Sequence, residues 1–163
     1  MPPLFASLLV AVYSVRNANP IHEPNLMPSK TPASGEPATP SQPPAPGDTK
    51  LPPDLARAAE LAMERKGQDI VILDLRGLSN ATDWFLLVSG TSDLHARSIA
   101  EHIIDELKKE GHRPDHIEGL RAGRWVLIDY IDFVVHVFHP AAREFYQLER
   151  LWGDAPVIPV STE

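Results

Sequence analysis

Arg124-Trp125-Val126-Leu127-Ile128-Asp129 and, after Tyr130-Ile131-Asp132, Phe133-Val134-Val135-His136-Val137-Phe138 read as two β-strands joined by a short connection. Alternate side chains of a strand share a face, so Trp125, Leu127 and Asp129 point one way while Val126 and Ile128 point the other. The second set is plainly core. The first joins a large aromatic to a carboxylate, and no catalytic pairing accounts for the two together. Two readings follow: Trp125 anchors a protein interface, as wide rigid aromatics do, or it fills a second apolar layer beneath a helix.

Outward from this hairpin the periodicity is orderly from Pro53 on. Leu55, Ala58, Ala59, Ala62 and Met63 make one helical stripe, with Gly67 suited to the position after its end. Asp69 to Leu75 is too short and too β-branched for a helix and reads as a buried strand, and Thr82 to Val88 reads as a second. Ala96, Ile99, Ala100, Ile103, Ile104 and Leu107 predict a long amphipathic helix, capped by Ser92 and stopped at Gly111. A short strand around His116 and Ile117 precedes the hairpin. Pro140 then opens a last helix through Trp152, whose stripe of Phe145, Leu148 and Trp152 is expected to close the core while Arg143 and Glu144 stay in solvent. The order α-β-β-α-β-β-β-α predicts an α/β fold: one compact domain with a mixed β-sheet and flanking helices.

Composition divides the chain. Thirteen of the seventeen prolines lie in residues 1–53, too dense for helices or sheet ladders, so residues 1–52 are expected to be a disordered proline-rich extension. The domain is assigned to 53–154 and a C-terminal tail to 155–163. Residues 1–50 hold three basic and three acidic side chains, so the whole net charge of −7 belongs to the remainder. Such a domain repels phosphate backbones unless the fold gathers a basic patch, and its natural charged partner is basic. With no Cys, disulfide frameworks, thiolate nucleophiles and thiolate metal sites are excluded. The apolar run Leu4 to Tyr13 lacks a preceding Lys or Arg and is too short to span a bilayer. The expected location is cytoplasmic, with Met27 an alternative start.

Ser89-Gly90-Thr91-Ser92 lies between a strand and a helix N-terminus, the setting in which nucleotidyltransferases place a Gly-Ser turn. Those enzymes also need paired carboxylates for Mg²⁺, and here Asp93 has no second acid at the required spacing. His136 and His139 fall on opposite faces of a strand, and His95 and His102 lie outside the apolar stripe of their helix, as solvated histidines would. Ser89 and Ser92 lack a nucleophile elbow. No catalytic residue, cofactor or metal is expected.

Gly67-Gln68-Asp69-Ile70, Leu73-Asp74, Thr82-Asp83, Ser89 to Ser92, Glu118-Gly119, Trp125 to Tyr130, Val135 to Phe138 and Arg143 to Gly153 together resemble the ribosomal silencing factor, or Iojap, family. The resemblance runs from about Leu55 to Asp154. It implies a small nucleotidyltransferase-like domain without enzymatic activity. Its implied partner is the large ribosomal subunit, through the ribosomal protein of the fourteenth class, where it blocks an intersubunit bridge and represses translation. It implies partner binding by Trp125 and Asp129, to which Tyr130 and Asp132 are added. The same surface could serve a large-subunit assembly factor, and the sequence leaves homodimer formation open. Where the family commonly has Gly, this chain has Ile131, and a β-branched residue resists positive φ, which argues against a tight primed turn.

Overall fold

The computed structural model describes residues 49–160, so the proline-rich extension and Met27 lie outside the described residues. The elements are α1 (Pro53–Glu64), β1 (Gln68–Asp74), β2 (Trp84–Ser89), α2 (Asp93–Lys109), β3 (His116–Glu118), β4 (Trp125–Asp129), β5 (Phe133–Phe138), α3 (Pro140–Tyr146), α4 (Leu148–Leu151) and β6 (Val157–Pro159). One mixed sheet takes the strands in the order β3-β4-β5-β2-β1-β6. Only β2 and β5 run parallel, Trp84 to Ser89 beside Phe133 to Phe138; the other neighbours are antiparallel.

Alternation sorts the strands as expected. Ile70, Ile72, Leu86, Val88, Val126, Ile128, Val135 and Val137 meet the stripes of α1 and α2 in one buried cluster. The helix ends explain themselves chemically. Ser92 caps α2 by accepting the His95 N–H on Oγ at 3.0 Å, and Gly111 ends it at φ +93. At the end of α1 the left-handed residue is Lys66 (φ 57) and not Gly67. The Gly67 N–H reaches back to the Ala62 carbonyl at 2.9 Å. Glycine is required there for space, because a Cβ would lie 2.6 Å from Val88 Cγ1.

Three expectations need correction. The last helix is broken: Gln147 takes φ 44 between α3 and α4. The break destroys the stripe, leaving Phe145 78% exposed while Leu148 is buried and Trp152 half-buried with its ring 5.7 Å from Phe85. Arg143 is not solvated. Its guanidinium donates to Glu149 Oε1, to Ser89 Oγ and to the Asp69 carbonyl at 2.8, 3.1 and 2.9 Å, tying α3 and α4 to β1 and β2. Finally, within the expected tail Val157–Pro159 forms a strand, β6, that pairs with β1, and Ala155 is buried. Pro156 and Pro159 disguised this strand, but an edge strand tolerates proline.

Candidate functional site

The β4–β5 hairpin positions every residue expected at the site. Asp129 faces Val134 across the ladder, and the Tyr130 N–H donates to the Phe133 carbonyl at 2.9 Å, leaving a two-residue loop of Ile131 and Asp132. Ile131 stands at φ 74, against the expectation that a β-branched residue would refuse it. Such a conformation costs on the order of 1–3 kcal/mol and persists only where its surroundings over-determine it. They do so here. Asp129 Oδ1 accepts the Ile131 N–H at 2.7 Å, the Asp132 N–H donates to the Tyr130 carbonyl, and the Asp132 carbonyl accepts the Asp83 N–H at 3.0 Å. The loop thus displays an apolar side chain, 62% exposed, between two carboxylates.

Trp125 does not lie open beside them. It is only 5% exposed, and four residues of strand separate it from Asp129 by about 13 Å. The reading that survives is the second apolar layer. Its indole stacks on Phe138 at 5.1 Å and lies under Tyr146 of α3 at 4.6 Å. Its Nε1–H donates to His136 Nδ1 at 3.0 Å. His136 is wholly buried, and burial, helped by the Arg143 charge, pushes its pKa down to about 3. A neutral ring is what the indole donor requires. His136 Nε2 has no hydrogen-bond partner among the described residues, and the ring meets Phe85 edge-on at 4.5 Å.

Tyr130 points the opposite way, onto the helix-bearing face. Its ring stacks on Phe133 at 4.9 Å, its hydroxyl is buried without a partner among the described residues, and burial pushes its pKa up to about 12. Asp132 is exposed. The structure therefore gathers Asp129, Ile131 and Asp132 at one tip and separates Trp125 and Tyr130 from it. His116, absent from the sequence-derived site, pairs across the ladder with Asp129. Its Nε2 lies 2.7 Å from Glu118 Oε1, and this contact raises its pKa. His136 was legible in principle, since a two-residue loop places residues 125, 127, 136 and 138 on one face.

The other candidate chemistry is occupied by structure. The Gly90 N–H donates to the Phe138 carbonyl at 2.8 Å and the Thr91 N–H to His95 Nδ1 at 2.9 Å, so the first amides of the turn are already used. A Cβ on Gly90 would lie 2.6 Å from the Ala96 nitrogen, so close helix packing explains the glycine. His95 and His102 are not freely solvated: their Nε2 atoms lie 2.7 Å from the Arg65 carbonyl and 2.8 Å from Glu64 Oε2, joining α2 to α1. His139 caps α3 through the Ala141 N–H. Among the described residues no group of three or more His, Cys, Asp or Glu is placed to hold a metal ion, and no helix is long and apolar enough to cross a membrane.

The described fold extends over the region that known proteins share with this chain. The family model described as ribosomal silencing factor during starvation matches residues 49–163. The ribosomal silencing factor RsfS of Bacillus subtilis is 43% identical over 100 residues, covering 61% of this chain and 85% of the relative. That of Halalkalibacterium halodurans is 38% identical over 104 residues, covering 64% and 89%. A crystal structure from Chromobacterium violaceum superposes with a TM-score of 0.60 at 35% identity, over 61% of this chain and 83% of that one. More distantly, the mouse protein named mitochondrial assembly of ribosomal large subunit protein 1 is 29% identical over 119 residues, covering 65% of this chain and 52% of its own length. With the family model matching well over half its length, on the domain whose fold the crystal structure shares, the chain belongs to the ribosomal silencing factor family.

Proposed function

We propose that this chain represses translation in the cytoplasm by binding the large ribosomal subunit through its fourteenth-class ribosomal protein. There it blocks an intersubunit bridge and keeps the small subunit from joining. The observation that carries the reading is the hairpin tip, where exposed Ile131 stands between Asp129 and Asp132 on a loop fixed by backbone hydrogen bonds. A rigid apolar knob flanked by carboxylates suits a basic protein surface: the knob is desolvated on docking and the charges set orientation and approach. Trp125 contributes at a distance, by fixing the far end of the same strand against Phe138 and Tyr146, and Tyr130 braces the loop from the helix side. The mechanism is steric and needs no chemistry, which agrees with the amides of the Gly90 turn being committed internally.

Sedimentation of a lysate through a gradient tests the proposal. The protein should travel with free large subunits and be absent from joined ribosomes; migration with joined ribosomes would exclude it. Turnover of nucleoside triphosphates with Mg²⁺ that disappears in Asp93→Asn would overturn the non-enzymatic part. The name of the mouse relative favours a second reading, an assembly role on the same surface. Depletion that leaves immature large subunits, with subunit joining otherwise normal, would select it.

A further inference from the structure

Nine arginines lie among the described residues, and three of them are held by the domain's own carboxylates. Arg57, Arg76 and Arg143 each hold Asp or Glu at 3.5 Å or less. Among the described residues the arginines without such a partner include Arg97 on α2 and Arg121 and Arg124 on the loop that packs against the start of that helix. The loop over residues 119–124 is folded by Gly119 and Gly123, at φ 73 and 71, with the Gly123 N–H donating to the Gly119 carbonyl at 3.0 Å. It lies directly on the first turn of α2: a Cβ on Gly123 would stand 2.2 Å from the Asp93 carbonyl oxygen.

Arg97 follows Asp93 by four residues and so shares its flank of the helix. Farther along that flank is Ile104, which borders the core together with Leu120 of the loop. Arg124 closes the loop. Its carbonyl accepts the His139 N–H at 2.9 Å, which continues the β4–β5 ladder by one residue. Alternation with Val126 then puts its side chain on the helix-bearing face, toward α2. Arg121 and Arg124 are exposed, whereas Arg97 Nε is buried with no hydrogen-bond partner among the described residues. A buried donor left unsatisfied is costly and calls for an acceptor. Asp93 and Glu101, the carboxylates four residues to either side on this flank, form no ion pair with Arg97 among the described residues.

We propose that Arg97, Arg121 and Arg124 form a contact for the phosphodiester backbone of RNA. Guanidinium forks match phosphate oxygens in geometry and charge. The choice of RNA among polyanions rests on the ribosomal reading above, because a ribosomal subunit presents RNA beside protein. The net negative domain makes the contact local: it adds to a protein contact and fades with salt.

The test uses the full ¹⁵N-labelled chain titrated with a short RNA duplex at low salt, reading the Arg97 Nε–H signal and the amides of residues 119–124. A saturable shift of these signals, reversed by added salt, is expected. In R97Q/R124Q, which lacks the Arg97 signal itself, the shift of the 119–124 amides should vanish while the remaining spectrum stays native. R121E, on the exposed loop where folding is not at risk, should weaken the response several-fold and decides the matter should the double variant misfold. Absence of the shift, its persistence in the variants, or an equal shift with polyglutamate would overturn the proposal. The readout needs no ribosome, so RNA binding without large-subunit sedimentation would sink the ribosomal reading and leave the arginine site standing. Sedimentation without the RNA response would do the reverse.

Discussion

Acidification should destabilise this domain through His136 well before its carboxylates titrate. The folded imidazole is neutral, with Nδ1 accepting the Trp125 N–H and a pKa pushed from 6.5 down to about 3. In the unfolded chain the same ring regains its ordinary pKa near 6.5. Between these values the unfolded state binds a proton that the folded state refuses. The His136 contribution is therefore complete above about pH 6.5 and is lost as pH falls, by roughly 1.4 kcal/mol per unit. From about pH 7 to about pH 5 the loss is roughly 2 kcal/mol, or about 10 °C in Tm for a domain of this size. His116 works in the opposite sense. Its pKa is raised by Glu118, so its contribution is present at low pH and lost as pH rises through the folded value, but it is exposed and solvent screens it. Asp74, held low by Arg76, loses its contribution only in stronger acid. Urea melts across this range should show the slope in the wild-type protein and a much flatter one in His136→Asn, which keeps an acceptor for the indole but cannot titrate. Parallel slopes in the two proteins would refute the reasoning, whatever their absolute stabilities.

Substitutions at three further positions test the site and its supports. Asp129→Asn preserves the acceptor for the Ile131 N–H and removes the charge, so a large-subunit titration should show weakened binding with an unchanged melt. Asp129→Lys should be worse than Asp129→Ala, by like-charge repulsion against a basic partner. Ile131→Gly should relieve the positive φ and stabilise the domain by about 1 kcal/mol in a denaturant melt, after the entropic cost of glycine, while losing affinity for large subunits. Arg143→Ala strands Ser89 Oγ, the Asp69 carbonyl and Glu149 together, and should cost roughly 3 kcal/mol in the same assay.

Much of the architecture was legible in the chain because local signals agreed with one another. The stripes of α1 and α2, the alternation of β4 and β5, and the caps at Ser92 and Gly111 all point to the same layers. The features that escaped are those where tertiary contacts override local preference. Nothing in Phe145-Tyr146-Gln147-Leu148 announces a break, since glutamine rarely takes positive φ, and the break alone decides that Phe145 leaves the core. Ile131 is the same lesson at the site: its conformation is imposed by the Asp129 carboxylate and the strand ladder, not by its own propensity. For Trp125 alternation correctly named the face but could not say that Tyr146 would cover it, because that cover depends on a helix distant in sequence.

The two ends of β4 carry opposite charges, and this bears on how a small protein could discriminate its docking site. Asp129 ends the strand beside Asp132 and Ile131, while Arg124, the last residue of the 119–124 loop, immediately precedes it. Along the strand they are separated by about 17 Å. An acidic tip alone would be drawn to many basic surfaces, and an arginine cluster alone to any RNA. On the two contacts proposed above, Asp129 and Arg124 stand on opposite faces of the sheet as well as at opposite ends of a strand buried at Val126 and Ile128, so a docking site would have to offer basic protein to one and phosphate to the other, and like charge at either opposes wrong partners. The two contacts should then separate in salt. Loss of Arg97 and Arg124 should reduce the salt dependence of large-subunit binding by roughly two in its logarithmic slope. Asp129→Asn should lower affinity with a smaller change in slope, since a single exposed ion pair releases no condensed counterions. Identical slopes for the wild-type protein and the arginine variant would show that both ends of the strand rest on protein alone.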